Sequence, residues 1–260
     1  MPPQPDDAPP VPRWLPMGDA AGIVAFGDSI APQVHERVMG FAAALQAERA
    51  AGRLPAVAEW VVAYTTVTVH LDPRHPQADP DALCGPLLDL ARAAPPLRQP
   101  GRRWRLPVCF DTDLAPDLAD LATARGLSAP AVVDLLCGTP FRVYMIGFQP
   151  GFAYMGGLPA ALELPRRASP RKAVPAGSLA VAGRMCGVYP WVSPGGWHLV
   201  GHCPVPMFDA ADAHEPALLA SGDEVWWQAV DRPAHAALLR DVEAGRVDRQ
   251  RWRWPEGQPT

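Results

Sequence analysis

The sequence predicts an α+β protein, a small α/β sandwich followed by a closed or nearly closed β barrel. Three observations carry that prediction. Up to residue 98 the chain reads in the order strand, helix, strand, strand, helix. From Trp104 onward, short β-like segments recur, each bounded by glycine or proline, the spacing of a barrel or sandwich rather than of a bundle. Finally, 33 prolines and nine tryptophans in 260 residues favour turns and β structure. Apolar residues make up 48% of the chain, enough for a core.

Ala21 to Phe26 reads as the first strand. Asp28 and Ser29 offer a helix cap, and Pro32 suits the first helical turn. Val34, Val38, Phe41 and Leu45 then recur at helical spacing, and Gly52 stops the helix. Val57 to Leu71 is rich in β-branched and aromatic residues and gives one or two strands. Asp79 caps a second helix, with Pro80 in its first turn and Leu83, Leu87 and Leu90 on its inner face. This order suggests a sandwich of the ferredoxin-like kind over residues 14–98.

The segment APPLRQPGRRW is a proline-rich connection, with Arg98, Arg102, Arg103 and Arg105 read as a solvated face. The second domain is expected over residues 99–245. Trp104, Leu106, Val108 and Phe110 alternate along one strand face. Helices follow at Pro116 to Arg125 and at Ala129 to Leu136, the latter capped by Ser128 and ended by Gly138. Strands are expected at 141–148, 179–182, 187–189, 197–201 and 224–230, and a last helix at Ala234 to Glu243. Residues 1–13 are expected as a disordered tail and 246–260 as a frayed one.

A net charge of -4 points away from nucleic acid or a membrane surface as the main partner. The opening residues lack the basic start and apolar run of a signal peptide, and no stretch of about 20 apolar residues exists. The expected compartment is the cytoplasm. Five cysteines without a CxxC pair argue against a disulfide framework or a zinc site.

The chemistry concentrates between Gly147 and Asp209, where glycine and proline are interleaved with apolar residues. Backbone N–H groups presented at glycine turns can hold an anion or a carbonyl oxygen. In GFQPGFAYMGG, Phe148, Pro150, Gly151, Phe152 and Tyr154 form a turn whose aromatics line a cleft or fill a core. Gly177 and Ser178 form a second turn, without the GxSxG pattern of a hydrolase elbow. Gly195, Gly196 and Trp197 form a third, which either aims donors at a carboxylate or phosphate or simply starts a strand. His198 and His202 lie four residues apart and are expected on one strand face, as candidates for acid–base work. Arg166, Arg167, Arg171 and Lys172 can neutralise a carboxylate or a phosphate. There is no Walker A sequence.

Several long motifs occur in a fixed order: GDAAGIVAFGD, VAYTTVTVHLDP, YMIGFQPGFAYMGGLP, VPAGSLAVAG, GVYP and SPGGWHLVG. With them the chain resembles the KipI family, whose members are known as 5-oxoprolinase or allophanate hydrolase subunits. The resemblance implies a cyclophilin-like barrel as the C-terminal domain. It implies work with a KipA-type partner, itself a 5-oxoprolinase subunit, and a LamB/YcsF-type subunit in ATP-dependent hydrolysis of 5-oxoproline, with Mg2+ at the level of the complex. It favours Arg171 as the catalytic cation and adds Tyr189 of GVYP to the binding residues, while His198, from its strand position, is the candidate to move a proton. Related domains serve urea carboxylase, and one family member inhibits a histidine kinase, so a carboxyltransferase-like module and a non-catalytic regulator are the alternatives. The chain departs from the family pattern at Ala173, Met185, Cys186 and His202, positions that are basic or polar in relatives.

Overall fold

The computed structural model describes residues 10–98 and 101–254. The chain divides into two compact units, Met1–Gln99 and Pro100–Thr260.

In the first unit, β1 (Arg13–Pro16), β2 (Ala21–Ala25), β3 (Val57–Ala63) and β4 (Thr66–Leu71) form an antiparallel sheet in the order β1-β2-β4-β3. Helices α1 (Pro32–Ala50) and α2 (Pro80–Ala93) bury Val38, Phe41, Leu45 and Leu87 against Val24, Val67 and Val69. Asp79 caps α2, its Oδ1 accepting from the N–H groups of Asp81 at 2.9 Å and Ala82 at 3.3 Å. Neither Asp28 nor Ser29 caps α1. Ala31 holds that position without a side-chain bond, and Asp28 pairs with Arg13 instead. Proline in the first turn has no N–H to satisfy, so the need for a cap is smaller. Residues 1–9 of the expected tail lie outside the described residues, but its last residue already belongs to β1, where Arg13 pairs with Ala25.

The second unit contains β5 (Arg103–Val108), α3 (Leu118–Arg125), α4 (Ala129–Cys137), β6 (Phe141–Ile146), β7 (Ala153–Gly156), β8 (Arg171–Val174), β9 (Ser178–Ala182), β10 (Met185–Val188), β11 (Ser193–Gly195), β12 (His198–His202), β13 (Glu224–Ala229) and α5 (Arg232–Glu243). Seven strands make one sheet in the order β12-β9-β10-β7-β6-β13-β5, while β8 and β11 pair separately. The two edges of the large sheet meet where Cys109 and His202 exchange N–H···O bonds of 2.9 Å in both directions. The sheet is therefore nearly closed. Alternation along β5 sends Trp104, Leu106 and Val108 inward, where they meet Phe141, Met155, Val181 and Trp227, with Leu121 of α3 and Val132 and Leu136 of α4. Burial of these side chains removes the largest apolar area in the unit from water, the dominant favourable contribution to its folding.

Two expectations fail here. Arg102 is not a solvated residue. Its guanidinium contacts the buried Asp223 carboxylate at 3.1 Å, which also accepts the Trp104 indole N–H at 2.9 Å. Nor does the chain fray directly after α5. Arg249–Trp252 forms a 3-10 turn, and the Trp254 N–H donates to the Arg103 carbonyl at 2.7 Å. The Trp254 ring then lies beneath the Arg105 guanidinium, 3.8 Å from ring centre to Cζ. The rest of that expected tail, residues 255–260, lies outside the described residues. Among the described residues, no helix is long and apolar enough to cross a membrane.

Candidate functional site

The outward side of β9, β10 and β12 is also buried. The β8–β11 pair and the segment before it, residues 163–170, cover this side, and a second apolar cluster forms there from Phe152, Val174, Ala180, Tyr189, Trp197 and Leu199. Phe152 is its hub. Its ring centroid lies 4.8 Å from Tyr154, 5.2 Å from Tyr189, 5.6 Å from Phe148 and 5.7 Å from Trp197, all edge-on. Such T-shaped contacts place the positive ring edge on the negative face of the neighbour. The aromatics do not fill the space completely. A cleft of about 260 Å³ remains, lined by Phe148, Phe152, Tyr154, Tyr189 and Trp197, by Pro170, Pro194, Gly195 and Gly196, and by one cation, Arg166.

Glycine and turn chemistry shape this cleft. A Cβ on Gly195 would overlap the Tyr189 hydroxyl and stand 2.7 Å from Tyr189 Cζ, so glycine there is what lets the tyrosine ring lie against β11. Phe148 sits at the mouth, 61% exposed and at φ +68°. A left-handed conformation costs a residue with a Cβ about 1–3 kcal/mol. The turn sustains it with N–H···O bonds from Gly147 to Phe152 at 3.1 Å and from Phe152 to Gln149 at 3.0 Å. Burial raises the phenols of Tyr154 and Tyr189 above their ordinary range, opposed by the charge of Arg166. Both are therefore neutral at pH 7 and able to donate a hydrogen bond.

Of the residues singled out from sequence, Phe148, Phe152, Tyr154, Tyr189, Gly195, Gly196 and Trp197 converge on this cleft. Others do not. Pro150 serves the turn, its carbonyl accepting from the Trp191 indole at 3.3 Å, and Gly151 faces the backbone of Met207. Ser178 is buried in β9. Arg171 is not among the lining residues; its guanidinium makes a bidentate pair with Asp117 at 2.7 and 2.9 Å. The cation that does line the cleft, Arg166, was visible only as one member of a basic stretch.

The two histidines do not share a face. A β-bulge shifts the register of β12, so that His198 pairs with Val181 while His202 pairs with Ser178. The extra residue turns the strand over between them. His198 Nε2 donates to the Pro165 carbonyl at 2.9 Å and so anchors the start of the covering segment. His202 lies with Gly177 along a second, smaller cavity of about 200 Å³, which Tyr189 also touches. There its Nε2 bonds the Ala176 carbonyl at 3.0 Å and its Nδ1 bonds Nε2 of His235 at 2.8 Å. A carbonyl only accepts, so Nε2 of His202 carries the proton and Nδ1 accepts from His235. This is an arrangement of two neutral imidazoles.

The histidine pair predicts a pH dependence. Burial, then the neighbouring His235 and Arg232, lower the His202 value, partly offset by the Ala176 carbonyl. Burial and Arg232 lower that of His235, against Asp111 and Asp113. Folded values below the unfolded value of about 6.5 mean that the unfolded chain takes up protons first as pH falls. Stability is then fully present above about pH 6.5 and declines below it. Urea midpoints between pH 5 and 8 should show that decline, and a His235→Asn variant should show a flatter one.

The departures from the family pattern lie away from the cleft. Cys186 faces the barrel interior with its thiol pushed up by burial, Met185 packs at the edge of the outer cluster, and Ala173 is exposed. Among the described residues, no group of three or more His, Cys, Asp or Glu is placed to hold a metal.

A nearly closed mixed-topology barrel and an antiparallel sandwich in one chain define a carboxyltransferase-like fold. Kluyveromyces lactis urea carboxylase superposes with a TM-score of 0.74 at 17% identity, over 95% of this chain and 24% of that one. The chain belongs to the family described as carboxyltransferase domain, subdomain C and D, which it matches over residues 12–219. It is 34% identical over 218 residues to a Bacillus subtilis protein named as a 5-oxoprolinase subunit, 80% of this chain and 89% of that protein. It is 46% identical over 129 residues to a protein of the same name from Escherichia coli, 50% of this chain and 59% of that protein.

Proposed function

We propose that this chain is one subunit of an ATP-dependent amide hydrolase, that the complex opens the lactam of 5-oxoproline to glutamate, and that the aromatic cleft takes the lactam. The observation that carries the reading is a cleft of about 260 Å³ that combines flat apolar walls with a single guanidinium. That is the complement of a small ring bearing one carboxylate. The relatives are named as 5-oxoprolinase subunits, which supports both the substrate and membership of a larger assembly.

In this reading Arg166 holds the carboxylate, and Phe152 and Trp197 pack on the ring. The neutral phenol of Tyr189 is a donor placed to meet the lactam carbonyl, and Tyr154 forms the wall beside it. The walls are mostly aromatic rings, prolines and glycines, so these contacts act in a medium of lower dielectric than water. The cleft is narrow for a nucleoside triphosphate, and the described residues offer no carboxylate cluster for Mg2+. We therefore assign nucleotide and metal to a KipA-type partner, with a LamB/YcsF-type subunit completing the complex in the cytoplasm. Phe148, Trp191 and Val192, exposed by 61, 46 and 68%, offer that partner an apolar seat beside the cleft. The strand order β1-β2-β4-β3 supports a ferredoxin-like reading of the first unit, with β1 as its fourth strand. The near-closed sheet supports a cyclophilin-like reading of the second.

The test is phosphate release from ATP by the three proteins together, with and without 5-oxoproline and with this chain omitted. Release should require both the lactam and this chain. Arg166→Ala should raise the KM for 5-oxoproline about tenfold or more, the worth of one charge-assisted hydrogen bond. A complex that assembles but hydrolyses ATP equally without the lactam would point to another amide substrate. No complex at all would favour a regulator.

A further inference from the structure

Asp117 was not legible as a functional residue, because it stands where a helix cap would stand. It occupies the position before α3 but makes no cap bond with its side chain. Its carboxylate is turned away from the helix and is almost wholly buried, 3% exposed. Oδ1 accepts from Arg171 at 2.7 Å and Arg167 at 2.9 Å, and Oδ2 accepts from the Leu199 N–H at 2.7 Å and Arg171 at 2.9 Å. Four acceptor sites are thus filled, the capacity of a carboxylate. The backbone joins in, with the Asp117 N–H donating to the Leu199 carbonyl at 3.0 Å. Both polar backbone groups of Leu199 therefore end on one residue, at the point where the β12 register shifts. β12 is an end strand in the sheet order, so these groups point away from β9, and Asp117 satisfies them.

The consequence reaches the cleft from two sides. Trp197, a cleft wall, lies two residues before Leu199. Arg166, the cleft cation, precedes Arg167 in the chain, and the Arg167 N–H is tied to the Gly196 carbonyl at 2.7 Å. We propose that Asp117 is a positioning residue: it fixes the 165–171 segment and the β12 bulge in one arrangement, and thereby sets where Arg166 and Trp197 stand, without itself reaching the cleft. The part of this inference that concerns ligand binding rests on the cleft assignment above; the part that concerns the segment does not. Burial alone would raise the carboxyl, but the bonds from Arg171 and Leu199 and the charges of Arg171 and Arg167 outweigh it, so the anion persists at neutral pH.

Hydrogen exchange of the full chain, read by mass spectrometry, tests this without any ligand. Asp117→Asn keeps the shape but replaces an acceptor with a donor that faces N–H groups. Peptides covering 165–174 and 197–202 should exchange about tenfold faster or more, the effect of losing one charge-assisted bond on a local opening. Peptides from β5 and β13 should change no more than in Val132→Ala, a core variant whose defect lies in α4. If Asp117→Asn does not fold, Arg171→Lys serves instead. It keeps the charge, loses the bidentate geometry, and should loosen the same two peptides to a smaller degree. Uniform acceleration across the unit, or a Val132→Ala pattern identical to that of the Asp117 and Arg171 variants, would reduce Asp117 to a general stabilising residue and overturn the proposal. A failure of the lactam reading would show only in the turnover assay and would leave this exchange result standing.

Discussion

Phe152→Ala is expected to lower the unfolding free energy by about 3–5 kcal/mol, the range for removing a fully buried aromatic ring. The ring is 2% exposed and touches four other aromatic rings, so its loss leaves a cavity with several edge-on contacts unmade. The backbone has been shaped around it. A Cβ on Gly187 would stand 3.0 Å from Phe152 Cζ, which leaves glycine as the residue that admits the ring against β10. Collapse of the site is limited, because β9, β10 and β12 are fixed by the barrel ladder on their other side. Denaturant unfolding of the full chain would check the figure. A loss below about 1 kcal/mol would mean that the outer cluster relaxes freely and is not a packed second core.

Gly177→Ala is expected to cost about 2–4 kcal/mol, from left-handed strain and steric overlap acting together. Gly177 lies at φ +81°, and a Cβ there would stand 2.6 Å from the His202 ring and 2.7 Å from the Cys203 carbonyl oxygen. The overlap would push His202 off the Ala176 carbonyl and off His235, and His202 also carries the backbone bonds that join the two sheet edges. The variant should therefore unfold at lower urea and lose most of the decline in stability below about pH 6.5. An unchanged pH profile would contradict the role assigned to the histidine pair.

These two residues show what a sequence can and cannot reveal. Local signals served well. Asp79 before Pro80 announced a capped helix, and alternation from Trp104 to Val108 announced an inward strand face, because both depend on neighbours along the chain. The glycine-rich motifs stood out as a candidate site, and seven of the residues drawn from them line one cleft. What was hidden depends on partners far away in sequence. His198 and His202 obey a two-residue period until a bulge intervenes, and the bulge is visible only against β9. Asp117 finds its partners at 167, 171 and 199, so nothing near it in the chain distinguishes it from a helix cap. His235, at the far end of the unit, gives no sign of meeting His202. The strands β7, β8 and β11 span only four, four and three residues, and the glycines and proline of β7 and β11 read as turns. In the structure Gly156 and Gly195 are instead places where a tyrosine ring, Tyr144 or Tyr189, lies against the backbone.

The most direct test of the central claim, that the aromatic cleft takes the lactam, is 5-oxoproline-dependent phosphate release by the reconstituted complex carrying Gly195→Ala. The added methyl group competes with the Tyr189 ring for the same space and should drive the ring into the cleft while the barrel ladder is untouched. The complex should assemble with lactam-dependent turnover reduced about a hundredfold or more, as expected when reacting groups are displaced by about 1 Å. Turnover at the level of the unsubstituted chain, with the complex equally well assembled, would contradict that claim.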